Sequence, residues 1–123
     1  MGTFRHRIEV IAPDGRRREA IEAVVDDGAT YTWLPRSLLQ GLGIPPAFRF
    51  PFAPADGIRT EREVAEARVR LDGQVRTTLV VFGDEGTVPV LGAHALEAFG
   101  VTVDPVNRRL VSTPVLLLGF VDA

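Results

Sequence analysis

The feature that most constrains the fold is a succession of short strand-like runs separated by turn residues. The run Phe4–Val10 alternates Phe, His, Ile and Val with Arg and Glu, which is the period of a half-buried strand. The turn Pro13–Gly15 and the run Arg18–Val25 then predict a hairpin. Many short strands with few helices predict an all-β barrel or sandwich, and the length suits a single domain over residues 1–123.

The remaining segments continue this pattern. Asp72-Gly73 is the dipeptide type that closes a tight hairpin. Two short helices are expected, Arg36–Leu42 after Pro35 and Ala93–Phe99 before Gly100. The further predicted strands are Tyr31–Leu34, Phe48–Phe52, Ile58–Leu71, Val75–Phe82, Val101–Val103, Arg109–Ser112 and the apolar tail Val115–Val121.

Composition excludes several kinds of chemistry. The chain has no cysteine, which excludes disulfides, thiolate metal sites and a cysteine nucleophile. Its two histidines are too few for a histidine-rich metal site, so we expect no metal and no cofactor. A net charge of −2 argues against a dedicated nucleic-acid binder. The run Pro114–Val121 is far shorter than the ~20 residues of a spanning helix, and Met1–Glu9 lacks a signal core, so we expect a cytoplasmic protein without a membrane partner.

Three groups of polar residues are candidates for a site. Asp26–Thr30 follows an apolar strand end, where a carboxylate is held in a fixed place; by local composition alone, an acidic turn is the commoner explanation. Arg16–Arg18 suggests an anion patch but suits a solvated hairpin tip better. His94 and Glu97 have helical spacing but are too few for a metal site, so we expect a surface histidine.

Two further side chains are assigned structural positions. His6 lies on a predicted strand. As for His94, the further ligands that a metal site needs are missing from the sequence, so we expect a surface histidine. Trp33 follows the acidic stretch and could line a pocket, but as a lone aromatic residue it is expected in the core.

Several segments together resemble the retropepsin-like aspartic proteases, in particular the bacterial members that carry one motif. The stretch AVVDDGATYTWLP, Ala23–Pro35, is similar to the family's active-site loop, in which two apolar residues precede Asp-Thr/Ser-Gly-Ala. Four further segments resemble the family and follow in the family's order. They are Leu42–Ile44, the flap turn at Ala55–Gly57, Val90–Gly92 with the helix His94–Phe99, and the hairpin Val103–Leu110.

The resemblance implies a fold, a site and an activity. The fold would be a closed β-barrel with one short helix in the C-terminal half, and the activity that of an aspartic endopeptidase acting on peptides or unfolded protein. Asp26 would be the catalytic residue, in an active-site loop completed by Asp27, Gly28, Ala29 and Thr30. The flap would consist of Pro54, Ala55, Asp56 and Gly57.

The motif Val-Val-Asp-x-Gly-Ala occurs once in the sequence. Two carboxylates sharing a proton therefore require two copies of the chain, so the resemblance implies a two-fold symmetric homodimer. The apolar tail Val115–Val121 is expected at the dimer interface.

One position departs from the family pattern. Where the family has Thr or Ser, this chain has Asp27, and an ionised carboxylate cannot donate the hydrogen bond that the hydroxyl gives to the partner loop. The alternative is therefore a catalytically impaired or inactive dimeric binding or scaffold module. The substrate, the cleavage preference and the pathway do not follow from the sequence.

Overall fold

A computed structural model describes residues 4–53 and 57–113. This part of the chain is mostly β, which confirms the predicted all-β class. The elements are β1 Phe4–Ile11, β2 Arg18–Val25, β3 Thr32–Pro35, α1 Arg36–Gly41, β4 Phe48–Phe52, β5 Thr60–Leu71, β6 Gln74–Gly83, β7 Val90–Leu91, α2 Ala93–Phe99, β8 Val101–Asp104 and β9 Arg109–Ser112. The predicted arm from Ile58 starts two residues later, at Thr60, and the predicted tail strand Val115–Val121 lies outside the described residues.

Two hairpins have the turns that the sequence predicts. β1 and β2 pair antiparallel over their full length, from Phe4 opposite Val25 to Ile11 opposite Arg18. β5 and β6 are joined at Asp72 and Gly73, whose φ values of 49° and 84° are both positive. Positive φ at both central residues defines the turn whose twist matches the flanking strands, and Asp-Gly tolerates it well.

The seven-stranded sheet has the order β1-β2-β7-β3-β6-β5-β4, and β5 also pairs with β1 through Glu9–Ile11 and Arg68–Arg70. The pairings thus run from β1 through β2, β7, β3, β6 and β5 back to β1. β7 is parallel to β2, and β3 is parallel to β6. β8 and β9 form a separate two-stranded sheet. Because β7 lies between β2 and β3, the connection from β2 to β3 crosses the end of β7.

The core fills the space between these strands and the two helices. Apolar residues at alternate strand positions point inward, as the period of two requires. The largest side chains with less than 2 % exposure include Phe82, Ile8, Leu34, Leu39 and Leu91, and they belong to one contiguous apolar cluster.

The hairpin tip at Arg16–Arg18 is exposed, as expected, but Arg17 also has a structural contact. Its guanidinium donates hydrogen bonds to the carbonyl oxygens of Gly41 and Leu42, at 3.1 and 3.3 Å. These carbonyls end α1, where unpaired acceptors and the helix dipole favour a cation. Arg17 therefore joins the β1–β2 turn to the end of α1, a contact that local sequence does not reveal.

In the part of the chain that the structure describes, no helix is long and apolar enough to cross a membrane.

Candidate functional site

The acidic loop Asp26–Thr30 begins where β2 ends. Val25 is buried at 2 % exposure, and the next residue, Asp26, is half-buried at the end of the strand. The Asp26 side chain accepts a hydrogen bond from the Gly28 N–H at 2.9 Å, and its carbonyl accepts one from the Ala29 N–H at 3.1 Å. This local turn fixes the carboxylate orientation.

The loop is hydrogen-bonded to a segment that is distant in the sequence and consists of the end of β7 and the start of α2. The Asp26 N–H donates to the Leu91 carbonyl at 3.0 Å. In return, the Ala93 N–H donates to the Ala29 carbonyl at 2.7 Å and the His94 N–H to the Thr30 carbonyl at 2.9 Å. The two segments therefore form one rigid unit, in which the first free N–H groups of α2 are satisfied by loop carbonyls.

Gly92 allows the close approach of these two segments. A Cβ at this position would lie 2.4 Å from the Tyr31 carbonyl oxygen and 2.8 Å from that of Ala29, both backbone atoms that cannot rotate away. The Gly92 N–H also donates to the buried hydroxyl of Thr32 at 3.1 Å. Glycine is needed here for space and not for its backbone conformation, because the φ of Gly92 is −97°, a value that any residue adopts.

We predict that Gly92→Ala destabilises the fold by about 2 kcal/mol or more, because overpacking against fixed backbone forces the loop and α2 apart. Urea denaturation measures the free energy of unfolding. Gly41→Ala is the matched control, since a Cβ at Gly41 meets nothing within 4 Å. Equal stability of the Gly92→Ala variant and the parent would show that the loop is not held against α2.

Asp27 is exposed, and it makes no hydrogen bond or ion pair with any residue among 4–53 and 57–113. Its neighbour Asp26, by contrast, has a fixed orientation. The two adjacent carboxylates thus differ within the described part of the chain: that of Asp26 is built into the turn, and that of Asp27 is exposed.

An aromatic wall, formed by Tyr31, Trp33, Phe50 and Phe52, begins with the residue that directly follows the acidic loop in the sequence. The ring centroids of Tyr31 lie 6.3 Å from Phe50 and 6.1 Å from Phe52, in edge-to-face geometry, and that of Trp33 lies 5.4 Å from Phe52. Such contacts stabilise beyond the area they bury. The wall joins β3 to the β4–β5 hairpin.

A cavity of about 360 Å³ opens at this wall, lined by Trp33, Phe52, Ala53, Thr60 and Arg62. The prediction that Trp33 belongs to the core is wrong: it is half-buried and lines this cavity. Thr32 and Leu34 on either side of it point into the core, so the alternation of β3 directs Trp33 to the opposite face, which the β4–β5 hairpin covers.

The hairpin itself is present, with Phe52 paired with Thr60. Of the predicted flap residues, Pro54, Ala55 and Asp56 lie outside the described residues, and Gly57 has a φ of 87°, a conformation that favours glycine.

The aromatic side chains of β4 were not singled out by sequence reasoning. The signal that would have found them is the spacing of Phe48, Phe50 and Phe52, which places all three rings on one face of a strand.

The other polar candidates, the two histidines, lie in different parts of the structure. His94 is exposed, and its ring contacts Tyr31 of the aromatic wall at 6.0 Å between centroids. The Nε2 atom of His6 lies 3.0 Å from a carboxylate oxygen of Asp72, within hydrogen-bond distance. Among residues 4–53 and 57–113, no group of three or more His, Asp or Glu is placed to hold a metal ion.

Comparison of the chain with protein-family models and with curated proteins finds no match. The relationship to the retropepsin-like family stays a prediction from the residues themselves.

Proposed function

We propose that this protein is an aspartic endopeptidase of the retropepsin type, with Asp26 as its catalytic residue. The observation that carries the proposal is the fastening of the acidic loop to Leu91 and the start of α2 by reciprocal backbone hydrogen bonds. Two of the segments that resemble the family, far apart in the sequence, thus form one unit. A carboxylate of fixed orientation, in a loop that leads directly into the aromatic residue Tyr31, suits binding and hydrolysis of an extended peptide.

The fold proposed with this function is the closed retropepsin-like barrel. The ring of pairings from β1 through β2, β7, β3, β6 and β5 back to β1 supports it, because closure removes the sheet edges of those six strands. β4 extends from β5 outside this ring, which supports the proposal that the β4–β5 hairpin is the flap.

In the proposed mechanism, two Asp26 carboxylates from two copies share one proton. One carboxylate takes a proton from a water molecule, which attacks the scissile carbonyl carbon, while the other donates its proton to the carbonyl oxygen. The resulting diol collapses when the ionised Asp26 takes a proton from a diol hydroxyl and the protonated Asp26 gives its proton to the peptide nitrogen, which leaves as the amine; no covalent intermediate with the enzyme forms. The β4–β5 hairpin would cover the extended peptide and bond to its backbone.

A homodimer in solution is the first expected result. The chain contains the acidic motif once, and a carboxylate pair therefore needs a second copy. Asp27 is exposed and has no hydrogen bond or ion pair among residues 4–53 and 57–113, which also suits a loop that faces another molecule. Sedimentation velocity over a dilution series measures the association; a species that stays monomeric at the highest concentration would contradict both the dimer and the shared-proton mechanism.

The second candidate is a dimeric binding or scaffold module without catalysis. The specific observation that favours it is Asp27, whose carboxylate replaces the hydroxyl that the family uses between the two loops. In such a module, the cavity and the aromatic wall would bind a peptide that is not cleaved.

An assay on an unfolded protein separates the two candidates. Hydrolysis is expected at about pH 4 to 6, where a carboxylate pair holds one proton. Product peptides are identified by mass spectrometry, and the Asp26→Asn variant serves as the blank for contaminating proteases. Saturable binding of the same protein without product peptides would select the binding module instead.

A further inference from the structure

The β4–β5 hairpin projects beyond the end of the ladder between β5 and β6. β5 pairs with β6 only from Val64 to Leu71, whereas its first residues, Thr60–Glu63, pair with β4. In the described part of the chain, no backbone ladder holds this projecting portion to β6. Its position therefore depends on side chains.

One side-chain contact is a bidentate ion pair from β5 to the loop after β6. The Arg62 guanidinium donates to the two carboxylate oxygens of Asp84, at 2.8 and 3.1 Å. Hydrogen bonding from Arg62 lowers the pKa of Asp84 below its ordinary value, so the pair persists at neutral pH and is lost only as pH falls through that lowered value. The same guanidinium lies 5.7 Å from the centre of the Trp33 ring.

A second ion pair, of opposite polarity, joins the next residue of β5 to α1. The Arg36 guanidinium donates to the Glu63 carboxylate at 2.6 Å, and both side chains are about one-third exposed or less, at 36 % and 27 %. The Arg36 guanidinium also lies 5.0 Å from the centre of the buried Phe82 ring, which fixes its position. The hairpin thus contributes one cation and one anion, and the rest of the protein contributes their partners.

We propose that these two pairs form an ionic latch, Arg62–Asp84 and Arg36–Glu63, which holds the β4–β5 hairpin over the aromatic cavity and releases it as ionic strength rises. A single exposed ion pair contributes little to stability, but both pairs here act on the same projecting element and are oriented by aromatic rings. Salt screens such pairs strongly, since the Debye length falls from ~10 Å at 0.1 M to ~3 Å at 1 M.

Trp33 reports the state of the latch, because it is the one tryptophan of the chain and its ring contacts Phe52 of the hairpin at 5.4 Å. When the hairpin moves away, the indole becomes accessible to solvent. Acrylamide is a suitable quencher because it is uncharged, so salt does not alter its approach to the protein. We expect the quenching constant of Trp33 to rise about twofold between 0.05 and 1 M NaCl, as screening weakens both pairs.

Two substitutions release the latch without altering the charge next to Trp33. Glu63→Gln and Asp84→Asn each remove one carboxylate and leave Arg62 in place. Because each variant lacks one of the two pairs, each is expected to show, already at 0.05 M NaCl, part of the rise in quenching that the parent shows at high salt. Circular dichroism verifies that each variant is folded, and the two variants report independently.

Glu61→Gln is the matched control. Glu61 stands two residues before Glu63 on the same strand. Its partner is Arg49 of β4, at 3.3 Å, and Arg49 also lies 4.0 Å from Glu63, so both contacts lie inside the hairpin. This variant should behave as the parent at every salt concentration.

Unchanged quenching in both Glu63→Gln and Asp84→Asn, or an equal rise in Glu61→Gln, would overturn the latch. The readout needs no substrate, so it tests the latch whether or not the protein hydrolyses peptides.

Discussion

Asp26→Asn should leave the protein folded and reduce peptide hydrolysis by about 10³-fold or more, the scale on which general acid–base groups contribute. The substitution is nearly isosteric. The Asn oxygen can still accept the hydrogen bond from the Gly28 N–H, so the turn that orients residue 26 persists. What disappears is the titratable carboxyl group, and in a homodimer it disappears from both halves of the pair at once. The measurement is the rate of product formation at about pH 5, inside the range of about pH 4 to 6 in which a carboxylate pair holds one proton.

Asp14→Asn is the matched control for this variant. The Asp14 carboxylate accepts a hydrogen bond from the Arg16 N–H at 2.8 Å, two residues on, as Asp26 does from Gly28. The chemical change and the hydrogen bond from the main chain two residues on are therefore alike, but Asp14 lies in the β1–β2 turn and also accepts from the Arg17 side chain at 3.4 Å. We expect full activity from Asp14→Asn. Undiminished hydrolysis by purified Asp26→Asn would show that another carboxylate does the chemistry.

Asp27→Thr should strengthen the dimer at neutral pH and raise the activity. In the proposed dimer the two acidic loops approach each other, which brings two copies of Asp26 and two of Asp27 together. Two unit charges 4 Å apart repel by about 4 kcal/mol at an effective dielectric constant of 20. Association with all four carboxylates ionised is therefore unfavourable, and it should be accompanied by proton uptake.

The sign of the pH dependence follows from that uptake. A dimer that binds more protons than two monomers is favoured as pH falls. We expect the parent to dimerise more tightly at about pH 5 than at about pH 8, by roughly tenfold in Kd for each 1.4 kcal/mol of repulsion relieved. Asp27→Thr removes two of the four acids, so its dimer Kd should vary much less between these pH values. Sedimentation equilibrium at both pH values measures this.

Asp27→Asn separates the two effects of the threonine substitution. It removes the charge as Thr does, but it supplies an amide in place of the hydroxyl that the family uses. Both variants should flatten the pH dependence of dimerisation, whereas the larger gain in activity is expected for Thr. If Asp27→Thr changed neither the pH profile nor the activity, Asp27 would point away from the two-fold axis, and the effect assigned to this departure from the family would be wrong.

The acidic loop shows which features of a site can be predicted from residues that are neighbours in the sequence. Its position after a buried strand, its turn and its resemblance to an active-site loop were all predictable from Ala23–Pro35. The hydrogen bonds from the loop to Leu91 and the start of α2 were not, because they join segments that no local pattern connects. The importance of Gly92 follows from those bonds, since only the approach of two backbones makes its missing side chain necessary.

Among the described residues, the sequence by itself determined the two helices, the turns between elements and the strands other than β7, Val90–Leu91, which was not predicted as a strand. Alternation of apolar residues and the conformational preferences of Gly, Pro and Asp are local properties, and they decide local structure. The tertiary structure alone decided which face of β3 meets the core, and so placed Trp33 at a cavity. It alone paired Arg62 with Asp84 and Arg36 with Glu63, because the partners of a charged side chain depend on which elements the fold brings together.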